Sequence, residues 1–105
     1  MNFLDKDLEE YIENHTIAAP QLLAKLDRET YANVYMPRML SGHMQGRMLS
    51  MLSHMISPQR ILEIGTFTGY SAISLAEGLQ EQGKIITIDI NEELEDMVRL
   101  YVAEA

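Results

Sequence analysis

Cysteine is absent from the 105 residues, so the chain has no disulfide framework and no thiolate metal site. A reducing cytosol suits that composition, and a cytoplasmic location is the expectation. No apolar run approaches the roughly 20 residues of a membrane-spanning helix. The opening MNFLDKDLEEYIEN is acidic by Asp5 and lacks the basic-then-apolar order of a secretory signal. Bases are scarce: 8 Lys and Arg stand against 16 Asp and Glu, a net charge of −8. That balance disfavours nucleic acid and anionic membrane surfaces, which call for a cationic footprint. Internal repeats, low-complexity tracts and Gly/Ser linkers are also missing. What remains, 47% hydrophobic and 23% charged, is the composition of a folded chain. Its length suits one small domain or a piece of a larger one.

The hydrophobic pattern divides the chain at Pro58. Before it, helical spacing predicts three helices. The first covers Asp5 to Asn14, through Leu4, Leu8, Tyr11 and Ile12. The second runs from Gln21 to about Tyr35, with Pro37 ending it because proline removes a donor and forces its predecessor extended. The third starts at an N-cap Ser41 and runs to Ile56. Its stripe of Met44, Met48, Leu49, Met51, Leu52, Met55 and Ile56 reads as flexible core filler. No Asp or Glu lies between Thr30 and Leu62, whereas Arg38, Arg47 and Arg60 do.

After Pro58 the period changes. Ile61 to Ile64 reads as a buried strand, Ser71 to Gln82 as a helix stopped by Gly83, and KIITIDI (84–90) as a second strand. Asn91 caps a final helix whose first-turn acids, Glu92, Glu93, Glu95 and Asp96, suit the helix dipole. Strand–helix–strand–helix order predicts a parallel sheet with a right-handed crossover. Such a sheet has both faces covered and typically about five or six strands, whereas this chain offers two, and the second leaves an apolar edge open to association. The chain is therefore expected to be the N-terminal portion of a larger α/β protein.

Function concentrates in EIGTFTGYS (63–71). A glycine-bearing turn between strand and helix brings backbone N–H groups close to a ligand. The glycines stand as G-x-x-x-G rather than the G-x-G-x-x-G of a dinucleotide site. Glu63, just before the turn, would repel a phosphate and attract an ammonium group. Asp89, at the end of the second strand, can accept both hydroxyls of a ribose, and Ile90 offers adenine an apolar face. An ammonium, a carboxylate at a helix start, a ribose and an adenine describe S-adenosylmethionine better than NAD.

With ITIDINEE (86–93) downstream, this segment resembles motif I and the following acidic loop of class I S-adenosylmethionine-dependent methyltransferases, and more narrowly the caffeoyl-CoA and catechol O-methyltransferase group. MPRMLSGHMQGR (36–47) supports the narrower likeness, which spans roughly residues 30–96. The resemblance implies an α/β fold: N-terminal helices (1–58) plus the first βαβα (59–105) of a Rossmann-like methyltransferase parallel sheet, here incomplete. It implies that Glu63 holds the methionine amino group, directly or through water. Gly65, Thr66 and Phe67, with Gly69 in the same turn, would present backbone around the methionine portion. Ser71 would bind its carboxylate, Asp89 the ribose, and Ile90 would flank adenine. Ser41, with Met39, would close the site. It further implies a small-molecule hydroxyl acceptor, catechol-like or CoA-linked, a homodimer, and in the full-length parent a divalent, Mg-type metal. The metal ligands and catalytic base have no counterpart in these residues, so the chain alone is expected to be inactive.

The bland readings stand beside these. Glu63, Ser71 and Ser41 can each serve as structural caps, and Asp89 can simply start a turn. His15, His43 and His54 lack metal-site spacing and read as solvated or packing residues, as Tyr31 and Tyr35 read as packing ones. The alternatives are a non-catalytic dimerisation or interaction module and, less favoured, an NAD-dependent oxidoreductase.

Overall fold

A computed structural model of the chain describes residues 4–105. The first three residues of the expected 1–58 region lie outside the described residues. Helix α1 is Lys6–Asn14 and α2 is Gln21–Asn33; a 3-10 turn, Pro37–Met39, leads to α3, Gly42–Ile56. Strand β1 (Arg60–Ile64), α4 (Tyr70–Ala76) and β2 (Lys84–Ile88) follow, and a second 3-10 turn, Glu92–Leu94, opens α5, Glu95–Glu104.

The expected β–α–β unit is present. Strands β1 and β2 pair in parallel, from Arg60 opposite Lys84 to Ile64 opposite Ile88. Their alternation separates two faces. Leu62, Ile64, Ile86 and Ile88 are exposed on one, while Ile61, Glu63, Ile85 and Thr87 are half-buried on the other. Among the described residues the sheet has these two strands in the order β1-β2.

Both sides of Pro58 contribute to a single core. Leu23 and Leu26 of α2 and Leu40 pack with Tyr70 and Ile73 of α4 and Tyr101 of α5. Under them the buried Thr30 hydroxyl lies 2.7 Å from the Leu26 carbonyl and 3.1 Å from the Thr68 hydroxyl. Thr30 donates to that carbonyl and its hydroxyl also meets that of Thr68, tying α2 to the β1–α4 loop.

Several expectations are corrected. The methionine stripe of α3 is not core filler: Met44, Met48, Met51 and Met55 are exposed, and Gly46, Ser50 and Ser53 face inward. Small residues there let the α3 and α4 backbones approach closely. An added Cβ would sit 2.6 Å from Tyr70 Cε1 at Gly46, and 2.4 Å from the Ser53 carbonyl carbon at Gly78. Helix α4 accordingly ends at Ala76, short of Gly83, which instead closes a turn by donating its N–H to Gln80 O (2.7 Å). Strand β2 ends at Ile88 rather than Ile90. Helix α2 ends at Asn33, before Pro37, because Val34 turns extended; Pro37 then starts the 3-10 turn. Ser41 occupies the N-cap position of α3 without a side-chain cap, in helical φ/ψ. Tyr31 and Tyr35 project outward instead of packing.

Beside the Gly78 contact, the largely buried Arg47 forms a two-pronged pair with Glu77, at 3.1 and 2.6 Å, and the Ser50 hydroxyl donates to the same carboxylate at 3.1 Å. The hydrogen bond from Arg47, ahead of opposing burial and of the bond from Ser50, holds the Glu77 carboxyl below its ordinary value of 4.5. A depressed carboxyl stabilises the fold above its unfolded value and ceases to do so as pH falls through the folded one. Glu77→Gln should therefore be less stable than the parent at pH 7, with the gap closing as pH falls from 4.5 through the lower folded value. Urea midpoints at pH 7, 5 and 3 test this, and a gap that does not change with pH would remove the ion pair from the explanation.

Candidate functional site

At the end of β1 the chain enters a left-handed turn. Gly65 (φ +100°), Phe67 (φ +50°) and Gly69 (φ +96°) all lie in the region that favours glycine. The Gly65 N–H donates to Ile88 O at 2.7 Å, extending the ladder by one bond. A Cβ on Gly65 would meet nothing within 4 Å, so glycine is needed here for its φ, and the space beside it is open to a ligand. Phe67 adopts a left-handed conformation that costs a non-glycine residue about 1–2 kcal/mol. It is held there by its ring, packed against the core, and by its N–H, which donates to Asp89 Oδ2 at 2.8 Å.

Asp89, just past β2, accepts a second backbone bond on Oδ1 from the Asn91 N–H, at 2.9 Å. The Phe67 N–H first, and then that of Asn91, hold its carboxyl below the usual carboxylate range. Asn91 in turn accepts from the Glu93 N–H at 3.1 Å and so begins the last helix. Each oxygen of a carboxylate can accept more than one hydrogen bond, so the exposed Asp89 retains capacity for hydroxyl donors.

Glu63 stands on the half-buried face of the sheet, opposite Thr87. Thr87 donates to its Oε1 at 2.7 Å, and the Ser71 hydroxyl, from the first turn of α4, donates to Oε2. Ser71 thus spends its hydrogen bond on Glu63. Thr66 adds a hydroxyl 2.6 Å from that of Thr87.

Ser41 reaches the same turn from the other side. A hollow of about 30 Å³ is lined by Met39, Ser41, Gly65, Phe67, Tyr70 and Ser71 among others. A larger one, about 520 Å³, lies between the turn and α5; Phe67, Asp89, Leu94 and Val98 are in its wall. Thr66 and Phe67 border both hollows, while Ser41 and Ser71 line the first and Asp89 the second. Ile90 is 97% exposed, an apolar side chain in water beside Asp89. Burial pushes the Tyr70 phenol up to about 12, so it remains protonated at neutral pH. The His43 ring meets the Ile17 carbonyl at 2.6 Å and ties the α1–α2 connection to α3. Among the described residues no group of three His, Asp or Glu could hold a metal.

Sequence reasoning named Thr66 for its backbone but missed its hydroxyl, and it missed Thr87 altogether. The available signal was a hydroxyl at Thr87 within an otherwise apolar strand, at the alternation that shares a face with the interior.

Parallel strands joined through a glycine turn and a helix, with Glu63 near the end of one and Asp89 just past the other, define a Rossmann-like α/β chain. Comparison with known proteins makes this specific. The O-methyltransferase family model matches residues 3–105, and the chain belongs to that family. It is 34% identical over 86 residues to a catechol O-methyltransferase of Mycobacterium tuberculosis, covering 82% of this chain and 38% of the relative. With caffeoyl-CoA O-methyltransferase 2 of Petunia hybrida it shares 47% identity over 49 residues, 47% of this chain and 20% of that one. Among solved structures, the O-methyltransferase TomG of Streptomyces achromogenes in complex with SAM superposes with a TM-score of 0.82 at 28% identity, over 93% of this chain and 44% of that one. The SAH-bound methyltransferase of Podospora anserina gives 0.85 at 22% identity, a likeness of fold, over 99% and 47%. The chain therefore spans less than half the length of these relatives.

Proposed function

We propose that the chain is the S-adenosylmethionine half-site of an O-methyltransferase whose longer parent methylates a hydroxyl of a small catechol-like or CoA-linked phenol. The carrying observation is that Glu63 and Asp89, beside the ends of adjacent parallel strands, flank one open left-handed turn. The group fits what the residues offer. Gly65 leaves open space, Asp89 is an ionised, exposed acceptor for ribose hydroxyls, and Ile90 is an exposed apolar surface for adenine. Glu63 would attract the methionine ammonium, with backbone of Gly65, Thr66, Phe67 and Gly69 around the methionine portion. Ser71 would serve the carboxylate only by sharing its hydroxyl with Glu63, and Ser41 would close the hollow from α3. When bound, the cofactor supplies an electrophilic methyl; these residues orient it and move no proton.

In this reading residues 1–58 wall the site and residues 59–105 carry it. The parent is a cytoplasmic homodimer using a divalent metal. Alone, the 105 residues bind without turnover. The sequence likeness to O-methyltransferases and the SAM-bound fold neighbour support the reading. A second reading, a non-catalytic interaction module, draws on the exposed apolar side chains of α3 and of the sheet. A NAD-dependent oxidoreductase is disfavoured by the glycine spacing and by Glu63.

Calorimetric titration of the chain with S-adenosylhomocysteine, with NAD as control, tests the proposal. Saturable binding of the former alone is the expected result. A folded chain that binds neither, or both equally, sinks it, and self-association without binding would favour the interaction module.

A further inference from the structure

Glu63 does not stand alone, and the groups that hold it come from three elements. Its Oε1 accepts from Thr87 of β2 at 2.7 Å, and its Oε2 from Ser71 of α4. Thr87 is also 2.6 Å from the Thr66 hydroxyl, in the turn itself. Proton counting orders this chain. Both Glu63 oxygens accept, so the single Thr87 proton goes to Glu63 and Thr87 must accept from Thr66. Hydroxyls linked in this way polarise one another and strengthen the last bond, the one to the carboxylate. Thr66 is buried and Thr87 half-buried, so water competes poorly for the relay.

We infer that Thr87 is a positioning residue: its hydroxyl, oriented by Thr66, fixes the Glu63 carboxylate in the rotamer that receives the ammonium of the cofactor's methionine portion. The inference rests on the cofactor reading above and deepens it. Thr87 borders the larger hollow, but its hydroxyl is engaged by Glu63 and Thr66. Its register partner is Glu63, so the two Cβ atoms stand side by side on one face, and a hydroxyl on a β-branched residue of the neighbouring strand is delivered with little rotameric freedom. Valine has the same shape without the proton, and serine has the proton on a freer side chain.

The test uses the 105-residue chain with two probes, S-adenosylhomocysteine and methylthioadenosine, which keeps the thioether nucleoside but lacks the amino-acid portion. Thr87→Val should bind S-adenosylhomocysteine roughly tenfold more weakly, the effect of losing one hydrogen bond to a charged group, with methylthioadenosine affinity unchanged. Thr87→Ser should recover most of the loss. If valine prevents folding, judged by circular dichroism, Thr87→Ala serves as the hydroxyl-free variant. Equal weakening for both probes would make Thr87 a structural strand residue, and unaltered affinity for S-adenosylhomocysteine would show that Glu63 needs no help; either overturns the inference and leaves the cofactor reading standing. A wild-type chain that binds neither probe overturns that reading and this inference with it.

Discussion

Replacing Gly78 with alanine is expected to lower the melting temperature by roughly 12–24 °C, the equivalent of about 3 kcal/mol in a domain of this size. The new Cβ would lie 2.4 Å from the Ser53 carbonyl carbon and 2.5 Å from the His54 nitrogen. Both are backbone atoms of α3, so no rotamer change relieves the overlap. Helix α3 must move off α4, and that movement disturbs the Ser53 hydroxyl bond to the Leu75 carbonyl, the Gly46–Tyr70 contact and the Arg47–Glu77 pair. The usual penalty for replacing glycine is absent, because Gly78 is not among the positive-φ residues. Restricting the unfolded chain would by itself stabilise the alanine variant by about 0.4–1 kcal/mol. A large loss can therefore come only from the close approach of the helices. Differential scanning calorimetry reads it, and a loss under about 3 °C would rule out so close an approach of α3 to the Gly78 backbone.

That same contact marks where sequence reading stops. The β–α–β unit was legible because the apolar period switches to strand-like at Ile61 and again at Lys84, and because Asn91 offers a cap where the last helix begins. Helix α1 was legible from the spacing of Leu4, Leu8, Tyr11 and Ile12, whereas Asp5, expected inside it, caps it by accepting the Asp7 N–H at 2.9 Å. In α3 the pattern misled. Seven large apolar residues outweigh Gly46, Ser50 and Ser53 in any hydrophobic reading, yet close helix packing selects for small side chains and rejects methionine. The early end of α4 has the same origin, since it places Gly78 where α3 comes closest. Within the site, Gly65 and Gly69 declared themselves because left-handed turns call for glycine, whereas Phe67 in the same conformation did not. Glu63 and Asp89 were found by type and position. What each carboxylate touches was not legible, because those partners depend on strand register and on hydroxyl orientation.

Asp89→Ala is expected to weaken S-adenosylhomocysteine binding about 10- to 150-fold, corresponding to the roughly 1.5–3 kcal/mol of hydrogen bonds to a charged group. Two losses combine in that figure. The carboxylate is the proposed acceptor for the ribose hydroxyls, and it also pins the Phe67 N–H that keeps the turn left-handed. Water replaces Asp89 as partner of an exposed N–H, so the fold should lose only about 1 kcal/mol. Affinity should fall much further than stability. The two backbone N–H donors lower the Asp89 carboxyl from its ordinary 3.8, which keeps it ionised and acceptor-only throughout the neutral range. Its contribution to the fold is thus complete above 3.8 and fades as pH drops through the lower folded value. Binding should for the same reason be flat in pH from about 8 to 5 as far as Asp89 is concerned. Calorimetric affinities over that range, set beside urea midpoints for both proteins, separate the two roles. A folded Asp89→Ala chain with unchanged affinity would remove Asp89 from the ligand site and leave it as the anchor of Phe67. A loss of affinity matched by an equal loss of stability would assign the whole effect to the turn.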